Sequence, residues 1–153
     1  MRRFFVVAIA VMAGTLPLQA QQSAADEAAV RAAAEAFSRG LASGDSTAVI
    51  ALLHPDVVIF EGGRWESLDD YRKGHLRADM QFLKSVKQET TRAQITVSGD
   101  LAVVTRENNT TGTVGERAID SIGAETLVLL RTPDGWKLRH VHWSSRPRRR
   151  TGS

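Results

Sequence analysis

The chain of 153 residues contains no cysteine. That absence removes disulfides, thiolate nucleophiles and thiolate-bound metals together. Stability therefore has to come from packing, and any metal would need histidine and carboxylate ligands. Proline occurs four times and tyrosine once. No Gly-x-Ser-x-Gly elbow is present, which leaves serine nucleophiles without a foothold. No apolar run approaches the roughly 18–20 residues that a membrane-crossing helix needs. There is no internal repeat and no linker-like stretch.

What is present at the amino terminus is Met1-Arg2-Arg3, an apolar run from Phe4 to Ala13, breaks at Gly14 and Pro17, and the small residue Ala20 before Gln21-Gln22. Two charges, a short apolar run and a small-residue cleavage position mark residues 1–20 as a secretory signal peptide and predict a periplasmic or secreted protein. The roughly 130 residues that follow suit one domain with a real core, expected over 21–146, before a basic tail over 147–153. The net charge of +3 belongs to the ends. Without Arg2, Arg3, Arg148, Arg149 and Arg150, the twenty basic residues fall to fifteen against seventeen acidic ones. No basic residues cluster along a face, which argues against nucleic acid as a partner. The arginine tail supports at most a weak contact with an anionic membrane surface.

From Asp26 to Leu41 the chain reads as a helix. Alanine supplies propensity, and Val30, Ala34, Phe37 and Leu41 recur at helical spacing. Asp45 caps a second helix over Thr47–Leu53, which His54-Pro55 stops. Asp56–Glu61 reads as a strand closed by Gly62-Gly63. Ser67 and Asp70 form a capping-box pattern that opens a third helix from Leu68 to about Lys84. Longer strands follow: Thr90–Val97 and Leu101–Asn108 around Ser98-Gly99-Asp100, then Ala118–Arg131 and Trp136–Ser144 around Pro133-Asp134-Gly135. Thr111–Glu116 reads as a Gly/Thr loop. Helices first and antiparallel strands afterwards predict an α+β fold, with helices on one face of a curved sheet.

Particular runs sharpen this. Leu52-Leu53-His54-Pro55-Asp56-Val57 and Gly135-Trp136-Lys137-Leu138 resemble the helix-to-strand turn and the last hairpin of the nuclear transport factor 2-like superfamily. Glu61-Gly62-Gly63, Glu66-Ser67-Leu68-Asp69-Asp70-Tyr71, the stretch from His75 to Phe82, Gly123-Ala124-Glu125-Thr126 and His142-Trp143-Ser144-Ser145 resemble its SnoaL-like branch of exported bacterial proteins. The resemblance implies a cone-shaped, curved antiparallel sheet with three N-terminal helices packed on its concave face. It also implies an interior that serves as a small-molecule pocket. Polyketide cyclases, ketosteroid isomerases, scytalone dehydratases, limonene epoxide hydrolases and non-catalytic proteins share that fold. The isomerases use an aspartate base with a tyrosine and an acid as oxyanion donors, a triad with no residue-by-residue counterpart legible in this chain.

The last strand carries the first candidates. Period-two alternation puts Trp136, Leu138, His140, His142 and Ser144 on one face, opposite Lys137 and Arg139. An apolar face that ends in two imidazoles suits a pocket, with His142 as proton carrier and His140 as a ligand contact. His75 and Asp79 lie four residues apart on the third helix, where the carboxylate can orient the ring. Tyr71 lies one turn earlier. Glu107 and Glu125 stand among Leu, Val and Thr, where burial would raise a carboxyl's pKa and make it a usable acid. The structural alternative for Glu125 is an ion pair with Arg106 or Arg139. Phe60, Trp65 and Tyr71 could line an apolar ligand site, although aromatics so spaced also suit a plain core.

His140-Val141-His142, completed by Glu125 or His75, permits a metal site. Such a pair on a strand is common, so neither metal nor cofactor is expected. Both faces of Glu125–Leu130 are largely apolar, which suggests a homodimer through the outer face of the sheet. Two functional readings stand. One is an exported, cofactor-free acid/base enzyme of isomerase, cyclase or dehydratase type, acting on a small hydrophobic molecule. The other is a non-catalytic ligand- or partner-binding protein of the cell envelope.

Overall fold

The computed structural model describes residues 18–149. The signal-peptide reading of residues 1–20 falls almost wholly outside them, as does the end of the basic tail. Helix α1 (Leu18–Ser43) turns Val30, Ala34, Phe37 and Leu41 into the core, the same stripe that the helical spacing predicts. It ends at Gly44, whose φ of +77° suits glycine, while the Asp45 N–H returns to the Gly40 carbonyl oxygen at 2.9 Å. Asp45 then caps α2 (Ser46–Leu52), its carboxylate accepting the Ala48 N–H at 2.9 Å.

The third helix, α3, runs as Leu68–Asp70, a π-helical turn over Tyr71–His75, and Leu76–Ser85. Its capping box is formed: the Ser67 hydroxyl accepts the Asp70 N–H, and the Asp70 carboxylate accepts the Ser67 N–H, both at 3.2 Å.

Six strands form one curved, open sheet: β1 (Leu53–Glu61), β2 (Arg64–Ser67), β3 (Val86–Ser98), β4 (Leu101–Val114), β5 (Arg117–Thr132) and β6 (Gly135–Pro147). Their order is β2-β1-β6-β5-β4-β3. All neighbours are antiparallel except β1 and β6, so the sheet is mixed. The three helices pack on the concave face, and the core fills the space between. Two local expectations change. Thr111–Glu116 is not a loop. Thr111 pairs with Asp120 and Thr113 with Ala118, so the β-branched residues extend β4 up to a tight turn. The strand β2 also went unseen, since four residues with one apolar side chain give no period.

The largest departure lies in β6. Val128 pairs with His140 while Leu129 pairs with Leu138, so Arg139 is one residue too many for the ladder. This is a β-bulge. The Arg139 guanidinium donates to the carbonyl oxygen of Asp56 in β1. Before the bulge, Trp136 and Leu138 are buried; after it, Val141 is buried and Trp143 half-buried. His140 and His142 therefore face outward, with their rings 5.7 and 6.4 Å from that of Phe60. A shift of one residue exchanges faces, and this shift overturns the single inward face expected for Trp136 to Ser144.

Candidate active site

A cavity of about 600 Å³ lies between α1, α3 and the inner face of the sheet. Leu41, Phe82, Leu83 and Val86 supply apolar walls, and Gln88, Asn108, Thr110 and Arg106 supply polar ones. Glu61 and Asp79 open onto it, and so do Glu125 and Trp143. Alternation explains the first of these. Val57 and Ile59 are buried in β1, so Glu61 at the end of that strand shares their side.

Glu61 and Asp79 belong to a cluster built around His75. The ring Nδ1 lies 2.8 Å from Glu66 Oε2. The ring Nε2 lies 3.3 Å from Glu61 Oε2 and 3.5 Å from Asp79 Oδ1. The Tyr71 hydroxyl donates to Asp79 Oδ2 at 2.8 Å. That last contact crosses eight residues, and the π turn makes it possible. In a regular α-helix the side chains of i and i+8 diverge by about 80°. Here the Leu76 N–H reaches back five residues to the Tyr71 carbonyl oxygen, and the extra residue in the turn swings Asp79 back under Tyr71. Glu66, only 8 % exposed, reaches the cluster because β2 pairs it with Ile59 on the inner side.

Three carboxylates around one imidazole leave a surplus of negative charge, and the pKa directions follow. Burial pushes Glu61 up, with the Asp79 and Glu66 charges adding and His75 opposing. Burial likewise raises Asp79, against the Tyr71 hydrogen bond and His75. For His75 burial acts downward, but the Glu66 hydrogen bond and the three surrounding charges outweigh it and hold the imidazolium above its ordinary range. Burial and the Asp79 charge keep the Tyr71 phenol neutral throughout the useful pH range. Glu61 Oε2 accepts no hydrogen bond among the described residues, so its approach to His75 is a charge contact without hydrogen-bond alignment.

A second polar group sits further along the cavity. Glu125, 7 % exposed, accepts from the Trp143 indole N–H at 2.9 Å and from Arg106 at 3.2 Å, and Arg106 also donates to the Ser38 hydroxyl at 2.9 Å. Trp143 stacks at 6.1 Å on Phe37 and lies 6.5 Å from Tyr71, so the two polar groups share an aromatic wall.

The profile described as a SnoaL-like domain matches residues 30–147. The chain belongs to the SnoaL-like family. Solved structures place this SnoaL-like protein in the nuclear transport factor 2-like superfamily. One, from Shewanella frigidimarina NCIMB 400 and described as a candidate ketosteroid isomerase, is 39% identical with a TM-score of 0.74 over 76% of this chain and 94% of its own. Another, a candidate dehydratase of the NTF2-like family from Streptomyces avermitilis, is 26% identical with a TM-score of 0.66 over 79% and 96%. An NTF2-like protein with a cystatin-like fold from Novosphingobium aromaticivorans shares 20% identity, with a TM-score of 0.66 over 85% and 90%, and speaks for the fold alone. No curated protein matches the chain.

Within this SnoaL-like fold, the predicted site residues divide between the two faces. His75, Asp79, Tyr71 and Glu125 come to the concave side, although Glu125 is tied to Arg106. His142, His140, Phe60, Trp65 and Glu107 do not. The bulge turns both histidines outward. Phe60 alternates with buried Ile59, and its partner Trp65 is 58% exposed. Glu107 is exposed between inward Arg106 and Asn108 and accepts from the Thr91 hydroxyl at 3.2 Å. The histidine metal pair therefore lies away from both proposed completing ligands. Sequence reasoning missed Glu61, Glu66, Arg106 and Trp143 as site residues. Counting by twos from Val57 would have found Glu61, and pairing across Gly62-Gly63 would have placed Glu66 opposite Ile59 on the same face.

Proposed function

We propose that this protein is a cofactor-independent acid/base enzyme that moves a proton on a small carbonyl compound, in an isomerase- or dehydratase-type reaction. One observation carries the reading: two carboxyls with raised pKa values, Glu61 and Asp79, open onto the same cavity from a cluster tied down by Glu66 and Tyr71. Paired carboxyls in unlike surroundings suit a base and an acid near neutral pH. Glu61, whose Oε2 holds no hydrogen bond, is the base. It takes a proton from the carbon beside the carbonyl, and the C–H electrons pass into an enolate. Protonated Asp79 donates to the enolate oxygen, and His75 supports the added negative charge. Returning the proton to another carbon completes an isomerisation. Expelling a β-hydroxyl as water completes a dehydration.

The mixed walls favour a substrate with an apolar body and a polar substituent. The likeness to proteins described as a candidate isomerase and a candidate dehydratase supports the reaction class. The same reading has the chain exported, on the strength of residues 1–20, and paired as a homodimer through the outer face that exposes Phe60 and Trp65.

The test is solvent deuterium exchange into a panel of ketones, followed by mass spectrometry with chelator-treated protein. Asp79→Asn and Glu61→Gln should each slow exchange by about 10²–10⁴-fold, the usual worth of a positioned acid or base. Exchange that both variants leave undiminished would remove the assignment.

A further inference from the structure

We propose that Glu61, His75 and Asp79 form a three-ligand site for a zinc-like divalent cation, with its open position toward the cavity. Each residue presents one free ligand atom while its other polar atom is engaged elsewhere or lies apart. His75 Nδ1 is held by Glu66, which leaves Nε2 as the free nitrogen. Asp79 Oδ2 accepts from Tyr71, which leaves Oδ1 toward the ring. Glu61 Oε2 is buried and accepts no hydrogen bond among the described residues. One ligand atom from each of the three residues lies within 4.8 Å of the other two. The two measured edges, 3.3 and 3.5 Å, suit a tetrahedral ion: metal–ligand distances of about 2.0–2.2 Å imply ligand–ligand edges of about 3.3–3.6 Å.

The surroundings point the same way. A carboxylate on the far nitrogen of a ligating histidine is the usual second layer of such sites, fixing the tautomer and raising the basicity of the ring. Glu66 holds that position at 2.8 Å. Three carboxylates with one imidazole also leave net negative charge in a half-buried place, which a dication neutralises. Because Glu61 and Asp79 line the cavity, the fourth position of the ion faces whatever the cavity holds.

The site goes beyond the acid/base reading and does not rest on it. An ion on these ligands would occupy the base and the acid of the proton transfer, so the metal-bound and metal-free chains are distinct forms and are read apart: proton transfer is assayed in chelator, and metal binding without substrate. The experiment is a calorimetric titration of chelator-stripped protein with Zn²⁺, repeated with Co²⁺, whose intense visible absorption marks four-coordination. One ion per chain is expected. It should be lost in His75→Gln and in Asp79→Asn and kept in the double variant His140→Gln/His142→Gln. Glu66→Gln, which removes no ligand, should keep one ion per chain at about 10–100-fold weaker affinity. It serves as the decisive variant if either ligand substitution prevents folding. No binding, binding that survives both ligand substitutions, full affinity in Glu66→Gln, or loss in the outer-histidine variant would each overturn the site.

Discussion

His75 and His140 lie on opposite sides of the sheet, both half-buried, and their surroundings push them in opposite directions. His75 meets Glu66, Glu61 and Asp79 and is held above the ordinary imidazole range. His140 meets burial, the neighbouring His142 and Arg139, which together outweigh a backbone hydrogen bond with Val58 and hold it below that range. Their depth is similar, so the partners decide. A histidine's usefulness as a proton carrier is therefore set by which side of the sheet it reaches, and in β6 a single bulge makes that choice.

The sharpest way to break the contrast is kinetic. On the inner side, Asp79→Asn should lower proton exchange by about 10²–10⁴-fold, whereas His142→Gln on the outer side should leave it unchanged; equal effects would abolish the distinction. Stability comes next. Arg106→Met strands Glu125 as a buried charge beside the cavity, which should cost about 3–5 kcal/mol by denaturant titration. Phe60→Ala on the outer face removes a ring that is 38% exposed and should cost far less.

A smaller effect carries an unusual sign. Glu61 has a raised carboxyl, so ionising it costs the folded state stability as pH climbs from about 4.3 through that raised value. Glu61→Gln should therefore raise Tm at pH 7 and bring no gain at pH 3. A lower Tm at pH 7 would show that the carboxylate is welcome where it sits.

The finest test is titration by NMR with paired melting curves. The raised His75 contributes stability that is complete below about pH 6.5 and is lost as pH rises through its folded value. The depressed His140 costs stability as pH falls below about 6.5 toward its folded value. The two imidazoles should titrate on opposite sides of that pH, and a common midpoint would erase the comparison.

Much of the inner wall was legible because its signals are local. Val30, Ala34, Phe37 and Leu41 follow the helical repeat, and Ser67 with Asp70 spells its own cap. His75 and Asp79 lie close enough in the chain to be paired on sight. The partners that matter more were hidden by distance. Glu66 holds His75 only because a four-residue strand folds back across Gly62-Gly63. Arg106 holds Glu125 through strand pairing, an alternative that the residues left open. The outward turn of His140 and His142 follows from the bulge at Arg139, whose guanidinium reaches Asp56, eighty-three positions away, and no period within β6 reports it. Side-chain alternation is a local rule, and it does not survive an extra residue in the ladder, here one that also makes a tertiary contact.

That contact has a consequence for how the strand tolerates change. Arg139 is surplus to the ladder, so deleting it should straighten β6 and leave every later side chain where it was, Trp143 inside and both imidazoles outside. Replacing Arg139 releases the surplus residue without removing it. The kink is then free to wander toward the strand's end, and each residue it passes changes sides. For this strand, shortening the chain by one should prove milder than altering one of its letters, as melting curves of the deletion and of Arg139→Ala would show.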